Sequence, residues 1–230
     1  RPLLCRLKAF DVPCDRSSHS QPTLRGGGLA SLVGFASGCV VAIVALPREA
    51  ATYVALVASA AIAISIVGFV EDVRGVRASV RASLQFLIGA AIGMALSLMT
   101  GTSLLWLPLA ALFFAANVNF VNFMDGVNGI TGLNGMVAGL AYAALGAIAA
   151  LPWLTVLGLL TAIVFAAFLP WNLTPPGIFL GDVGSYLLGG ALGATAIAAL
   201  MSGFNPIEAL APLTVCWADT VSTLVGRLRR

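Results

Sequence analysis

Beyond residue 28 the chain alternates long apolar runs with short polar interruptions. A membrane crossing needs about 20 mostly apolar residues. On that template the pattern predicts eight helices, at roughly 29–46, 50–70, 82–99, 103–121, 133–150, 153–169, 185–201 and 207–226. None of these runs has the period-2 alternation of a membrane-spanning strand. The predicted fold class is therefore all-α, a polytopic membrane helix bundle that forms one domain over residues 1–230.

Composition agrees with the pattern. Of the 230 residues, 60% are hydrophobic and 9% charged, with a mean hydropathy of +1.01, whereas soluble domains carry about 25% charged residues. That balance excludes a soluble enzyme, and no nucleic-acid partner is expected. Cys5, Cys14, Cys39 and Cys216 lack zinc-site spacing and a secretory context, so they read as free thiols. The chain opens on Arg1 and closes on Arg230 in basic stretches with no initiator Met, the signature of a fragment of a longer protein.

One interruption stands apart. Asn117, Asn119, Asn122, Asn128 and Asn134, with Asp125 among them, follow directly on a run of Leu, Phe and Ala. Polar groups at such a position face a partner, a wet cavity or a substrate. Gly126, Gly129 and Gly132 let the backbone turn tightly there. The segment reads as the lip of an active site. Three further polar stretches precede or follow apolar runs: Asp15 to Gly28, Glu71 to Arg77, and Pro170 to Ser185. The Gly26-Gly27-Gly28 turn is either a solvated loop or a phosphate cradle before a helix, and Glu71-Asp72 with its arginines is either interfacial charge or part of a site. His19, the sole histidine, cannot form a metal site alone.

Parity orders these loops. If each helix crosses once, all four polar stretches share one face. Arg1, Arg6, Lys8, Arg16, Arg25, Arg74, Arg77, Arg81, Arg227, Arg229 and Arg230 fall on that face, and only Arg48 on the other. The positive-inside rule makes the first face cytoplasmic. Asn172-Leu173-Thr174 matches a glycosylation sequon that is silent on that side.

The chemistry available there is carboxylate, amide and guanidinium. Oxygen ligands of this kind suit a hard cation, and Mg²⁺ takes one or two carboxylates plus waters and substrate phosphates. Metal and arginine would neutralise phosphate charge while a carboxylate orients or deprotonates the attacking oxygen. Asp219 lies apart, inside the last predicted helix, where a carboxylate is costly. It reads either as a structural acid bonded to a neighbouring helix or as a contributor to the substrate cavity.

Arg16-Ser-Ser-His-Ser with Pro22-Thr-Leu-Arg-Gly-Gly-Gly28, Glu71-Asp72, Asn122-Phe-Met-Asp-Gly-Val-Asn-Gly129 and Phe179-Leu-Gly-Asp-Val-Gly-Ser185 resemble, in order and spacing, the polyprenyl-phosphate N-acetylhexosamine-1-phosphate transferases of glycosyltransferase family 4. Those enzymes move a sugar-1-phosphate from a UDP-sugar to polyprenyl (undecaprenyl) phosphate, release UMP, need Mg²⁺ and work at the cytoplasmic face of the bacterial inner membrane. The products start cell-wall or lipopolysaccharide intermediates. The resemblance implies Asn122 and Asp182 as Mg²⁺ partners. It implies Asp72, with Glu71 beside it, as the base near the lipid phosphate, and Asp125 in a catalytic or supporting role. Asn128, His19 and Arg25 would contact substrate, and a homodimer is compatible with it.

Three departures stand out. The family's acidic pair is usually Asp-Asp where this chain has Glu71-Asp72, and bacterial members often carry Asp at the position of Asn128. Against the family's ten or eleven helices, the first helix and the last cytoplasmic loop are missing, so residues 1–230 alone are expected to insert in a membrane without transferring sugar phosphate. Two readings from other classes compete. A transporter would need polar groups on both faces, and this chain has almost none on the second; a non-catalytic membrane fragment would be told apart by the neighbouring sequence.

Overall fold

The computed structural model describes residues 10–11, 23–175 and 177–228. Two short strands, β1 (Phe10–Asp11) and β2 (Thr23–Leu24), pair antiparallel ahead of the bundle. The helices are α1 (Gly28–Ala45), α2 (Arg48–Arg74), α3 (Ala78–Thr100), α4 (Leu107–Met124), α5 (Ile130–Ile148), α6 (Pro152–Leu173), α7 (Gly181–Met201), α8 (Pro206–Leu210) and α9 (Thr214–Leu228). A 3₁₀ turn at Leu104–Trp106 leads into α4, and another at Ala211–Leu213 joins α8 to α9. Eight segments are long and apolar enough to cross a membrane, so this is a multi-pass membrane protein.

The predicted crossings are all present, with shifted ends. The α2 helix carries Glu71 and Asp72 in its last turn and stops at Gly75, whose φ of +69° breaks the helical path. The α7 helix starts at Gly181 rather than near 185, because its first N–H groups find partners elsewhere in the fold. The last predicted helix is broken at Ala211–Leu213, where Pro212 supplies no N–H.

The α7 helix is the axis of the bundle: 94% of its spanning window is buried, more than any other span. Its sequence is rich in Gly and Ala, the residues that let backbones approach in a membrane, where apolar burial gives no net drive between helices. A Cβ on Gly189 would lie 2.7 Å from Val118 Cα on α4, and one on Gly190 3.1 Å from Ala61 Cα on α2. Gly28 of α1 sits against Gly184. The bundle is thus drawn around α7 by small residues, and bulky apolar side chains such as Val44, Leu105 and Ile148 point outward.

Polar groups lock the interior as well. Trp217 on α9 donates its ring N–H to Asn117 Oδ1 (3.0 Å), and the Asn117 amide donates to the Gly189 carbonyl (2.8 Å). Thr220 donates to the Phe120 carbonyl (3.1 Å). Asn119 reaches Gln85 on α3 at 2.6 Å. Asn117 and Asn119 therefore tie helices together within the bundle, and neither stands at the lip where the sequence pattern had grouped them.

The tightest helix approach on the site side is at Gly68, where an added Cβ would fall 2.6 Å from the Asp182 carbonyl carbon and 2.9 Å from Val183 N. Both neighbours are backbone and cannot swing away. Helix propensity alone favours Ala over Gly by about 0.5–1 kcal/mol, so a loss of stability in Gly68→Ala reports the clash. The expected loss is about 1–3 kcal/mol, measured by denaturation of the protein in micelles. Gly226→Ala, with nothing within 4 Å of the new methyl group, is expected to be neutral or slightly stabilising.

Candidate active site

One end of the bundle gathers the predicted polar loops. Arg25, just before α1, sends Nε to Asp72 Oδ1 (2.8 Å) and a terminal nitrogen to Asp182 Oδ1 (2.6 Å). Asp72 accepts from two backbone N–H groups of α7, Asp182 N on Oδ1 and Val183 N on Oδ2, each at 3.0 Å. Asn122, at the end of α4, donates its amide to Asp182 Oδ1 (3.1 Å) and to Ser185 Oγ (3.0 Å). Segments far apart in the chain thus meet on Asp182.

Glu71 takes a different direction from its neighbour Asp72, as successive residues on a helix do. It pairs with Arg81 at the start of α3 (2.9 Å) and accepts from Val76 N. Arg81 also lies 3.7 Å from Asp182 Oδ2 and 3.4 Å from the Tyr186 hydroxyl. In the sequence Arg81 stood out only as one more positive charge. Its signal was its place in the first turn of an apolar helix, where a guanidinium can turn back toward the loop.

The loop between α4 and α5 carries Asp125, which is half-buried. Burial pushes its carboxyl up to about 7 from an ordinary 3.8; the negative charges of Asp182 and Asp72 add to the rise, and Thr131 and Arg25 oppose it. On α5, the Thr131 hydroxyl faces Asp125, and the Asn134 amide nitrogen is buried without a hydrogen-bond partner. A buried polar group left open in this way is costly, and it fits a recess that receives a ligand or water. Asn128 stays exposed at the rim, its amide nitrogen 3.9 Å from where a Gly177 Cβ would be. His19, Cys5 and Cys14 lie outside the described residues. Cys39 and Cys216 are buried free thiols.

Asn172, read in the sequence as part of a silent sequon, is buried. It accepts from Gly129 N (2.5 Å) and donates to the Ile178 carbonyl (3.0 Å), holding the Asp125 loop to the segment before α7. The glycine turn is spent on structure too. Gly27 N donates to the Phe179 carbonyl (2.9 Å) and Gly28 N to the Leu180 carbonyl (2.8 Å), so neither N–H is open to a phosphate. Arg227 on α9 covers the Phe123 ring at 4.9 Å and brings a further cation to this end. Asp219 is half-buried, and its neighbours Trp217 and Thr220 make the bonds to α4.

Four carboxylates (Glu71, Asp72, Asp125, Asp182) share this end, and two guanidinium groups, Arg25 and Arg81, pair among them. Carboxylate and amide oxygens of this kind suit a hard cation. Among the described residues no three His, Cys, Asp or Glu side chains form a ready metal cage, so a cation here would take one or two protein ligands, with water and substrate completing its shell. An apolar groove of about 880 Å³ opens beside Gly26 and Gly27, walled by α1 and α6 through Leu29, Val33, Leu160, Val164, Phe168 and Trp171.

An apolar bundle with charged and amide side chains converging at one end is a multi-pass membrane protein with a polar site. Residues 53–200, well over half of the chain, match glycosyl transferase family 4, and the protein belongs to that family of polyprenyl-phosphate sugar-phosphate transferases. The matched region contains Glu71, Asp72, Arg81, Asn122, Asp125, Asn128 and Asp182. No curated protein matches the chain.

The raised Asp125 carboxyl sets a pH dependence. Between about pH 4 and pH 7 the unfolded chain ionises Asp125 while the folded protein keeps it protonated, so folding stability falls as pH rises through that window. Asp125→Asn removes this loss. Its thermal midpoint in detergent is expected above that of the wild type at pH 8.5 and equal to it near pH 4; equal midpoints at both pH values would mean that the carboxyl ionises normally.

Proposed function

We propose that the protein transfers an N-acetylhexosamine-1-phosphate from a UDP-sugar to polyprenyl phosphate at the cytoplasmic face of a bacterial inner membrane, with Mg²⁺ as cofactor. The observation that carries the reading is the convergence of Arg25, Asp72, Asn122 and Arg81 on Asp182 at the membrane-edge end of a family 4 bundle. The basic residues concentrated on that face support its cytoplasmic orientation.

In net terms, an oxygen of the lipid phosphate replaces UMP on the sugar-bearing phosphorus. One P–O bond forms, the bond to the UMP oxygen breaks, and UMP leaves with the electron pair. The second ionisation of a phosphate monoester falls near pH 6, so the acceptor is largely dianionic at neutral pH. The protein must chiefly hold the two anions together and spread their charge.

Asp182 is the carboxylate for the metal, and Asn122 orients it. Bound Mg²⁺ would neutralise the diphosphate and polarise it toward attack. Arg25 and Arg81 flank Asp182 and offer cationic donors to phosphate oxygens. Asp125, Thr131 and Asn134 border the recess for the nucleotide sugar, with Asn128 at its rim. The apolar groove beside Gly26 gives a lipid chain a membrane-facing path to the same end, which supports a lipid acceptor.

The test is UMP release by the purified full-length protein from a panel of UDP-N-acetyl sugars, with and without undecaprenyl phosphate and Mg²⁺. Release is expected only with all three components. Asp182→Asn should lower it by at least about 100-fold, beyond the 10- to 100-fold typical of residues that merely orient a metal ligand. Turnover near the wild-type level in Asp182→Asn at saturating Mg²⁺ would remove Asp182 from the metal site.

A further inference from the structure

The carboxylate of Asp72 is placed differently from a group that exchanges protons with a substrate. Its side chain is 3% exposed. Oδ1 accepts from Asp182 N at 3.0 Å and faces Arg25 Nε at 2.8 Å, and Oδ2 accepts from Val183 N at 3.0 Å. A Cβ at position 181 would fall 2.6 Å from Oδ2, and Gly181 itself has a φ of +75°. Only glycine meets both conditions, so the chain is shaped to let this carboxylate reach the helix terminus.

A general base must come within about 2.6–3.2 Å of the proton that it takes. Asp72 has that spacing to backbone N–H groups and a guanidinium, all of them donors. A carboxylate has about four acceptor sites, and three are occupied. The two N–H groups belong to the first turn of α7, which has no partner within its own helix for them. Asp72 supplies from α2 the cap that a Ser, Asp or Asn ahead of the helix would supply elsewhere; the N-cap residue here is Leu180, which has no side-chain acceptor. Asp182 is the residue whose N–H is capped, and its own carboxylate shares Arg25 with Asp72.

We infer that Asp72 is a positioning residue. It caps α7 and, with Arg25, fixes where the Asp182 carboxylate points, and it takes no proton in the transfer. This rests on the transferase reading for the metal and the substrates, and on geometry alone for the cap. The base role implied for Asp72 by the family resemblance is thereby replaced by a mechanical one, exercised through Asp182.

The test compares Asp72→Asn with Asp72→Ala in the full-length protein. Asn keeps one acceptor for the α7 N–H groups and Ala none, so a capping role ranks the variants wild type, Asn, Ala. Mn²⁺ binding, followed by its electron spin resonance signal, is expected to weaken by about 10- to 100-fold in that order. The Mg²⁺ concentration for half-maximal turnover should rise in parallel, with turnover of Asp72→Asn at saturating Mg²⁺ staying within about tenfold of wild type. Unchanged Mn²⁺ affinity in Asp72→Asn, with turnover lost at every Mg²⁺ concentration, would overturn the inference in favour of a proton-transfer role. Amide hydrogen exchange decides the cap independently of activity. Exchange at Asp182 and Val183 should accelerate at least tenfold in Asp72→Asn relative to wild type, and unchanged protection there would overturn the cap. If wild-type protein binds no Mn²⁺, the metal reading fails while the exchange result still decides this one. Should Asp72→Ala not fold, the Asn variant alone carries both measurements.

Discussion

A helix that begins inside a membrane bundle presents backbone N–H groups where little water is at hand to receive them. In this protein that helix is α7, and the Asp72 carboxylate from the end of α2 receives two of those groups. Arg25 then bridges Asp72 and Asp182, bringing the segment before α1 onto the same point. This satisfied terminus sets where Asp182 sits. Arg81, Asn122 and Ser185 all find their places relative to Asp182.

The apolar part of the fold serves the same end. Small residues along α7 let α2, α4 and α1 approach it closely enough that Gly68 touches the Asp182 backbone and Gly28 touches Gly184. A rigid axis follows, with the Asp182 carboxylate at its first turn and the Trp217–Asn117–Gly189 hydrogen-bond chain holding it further along. The site borrows its stiffness from helices rather than loops. The Asp125 loop is the exception, and Asn172 ties it down from both sides.

Much of this was legible in the sequence. Twenty-residue apolar runs mark every crossing, and loop parity brings Arg25, Asp72, Asn122 and Asp182 to one end. The ends of helices were less legible, because polar residues such as Glu71, Asp72 and Asp182 lower local hydropathy while their backbone stays helical. Grouping all five asparagines at the lip failed for Asn117 and Asn119, since a helix turns them toward α7 and α3 instead. Arg81 was hidden because its partners sit on other helices, Glu71 at the end of α2 and Asp182 at the start of α7, and no local pattern names them. The cap on α7 was equally hidden: Gly181 before Asp182 hinted at a close approach, but the approaching group comes from another helix.

A double-mutant cycle on kcat/KM for UMP release tests the shared role of Arg25 and Asp72 most directly. If both act by holding Asp182, Arg25→Gln and Asp72→Asn disable one device, and the second substitution should cost little once the first is made. The double variant is expected to be no more than a few-fold below the weaker single variant. Losses that multiply in full would show two independent contributions to the reaction and would contradict a common clamp on Asp182.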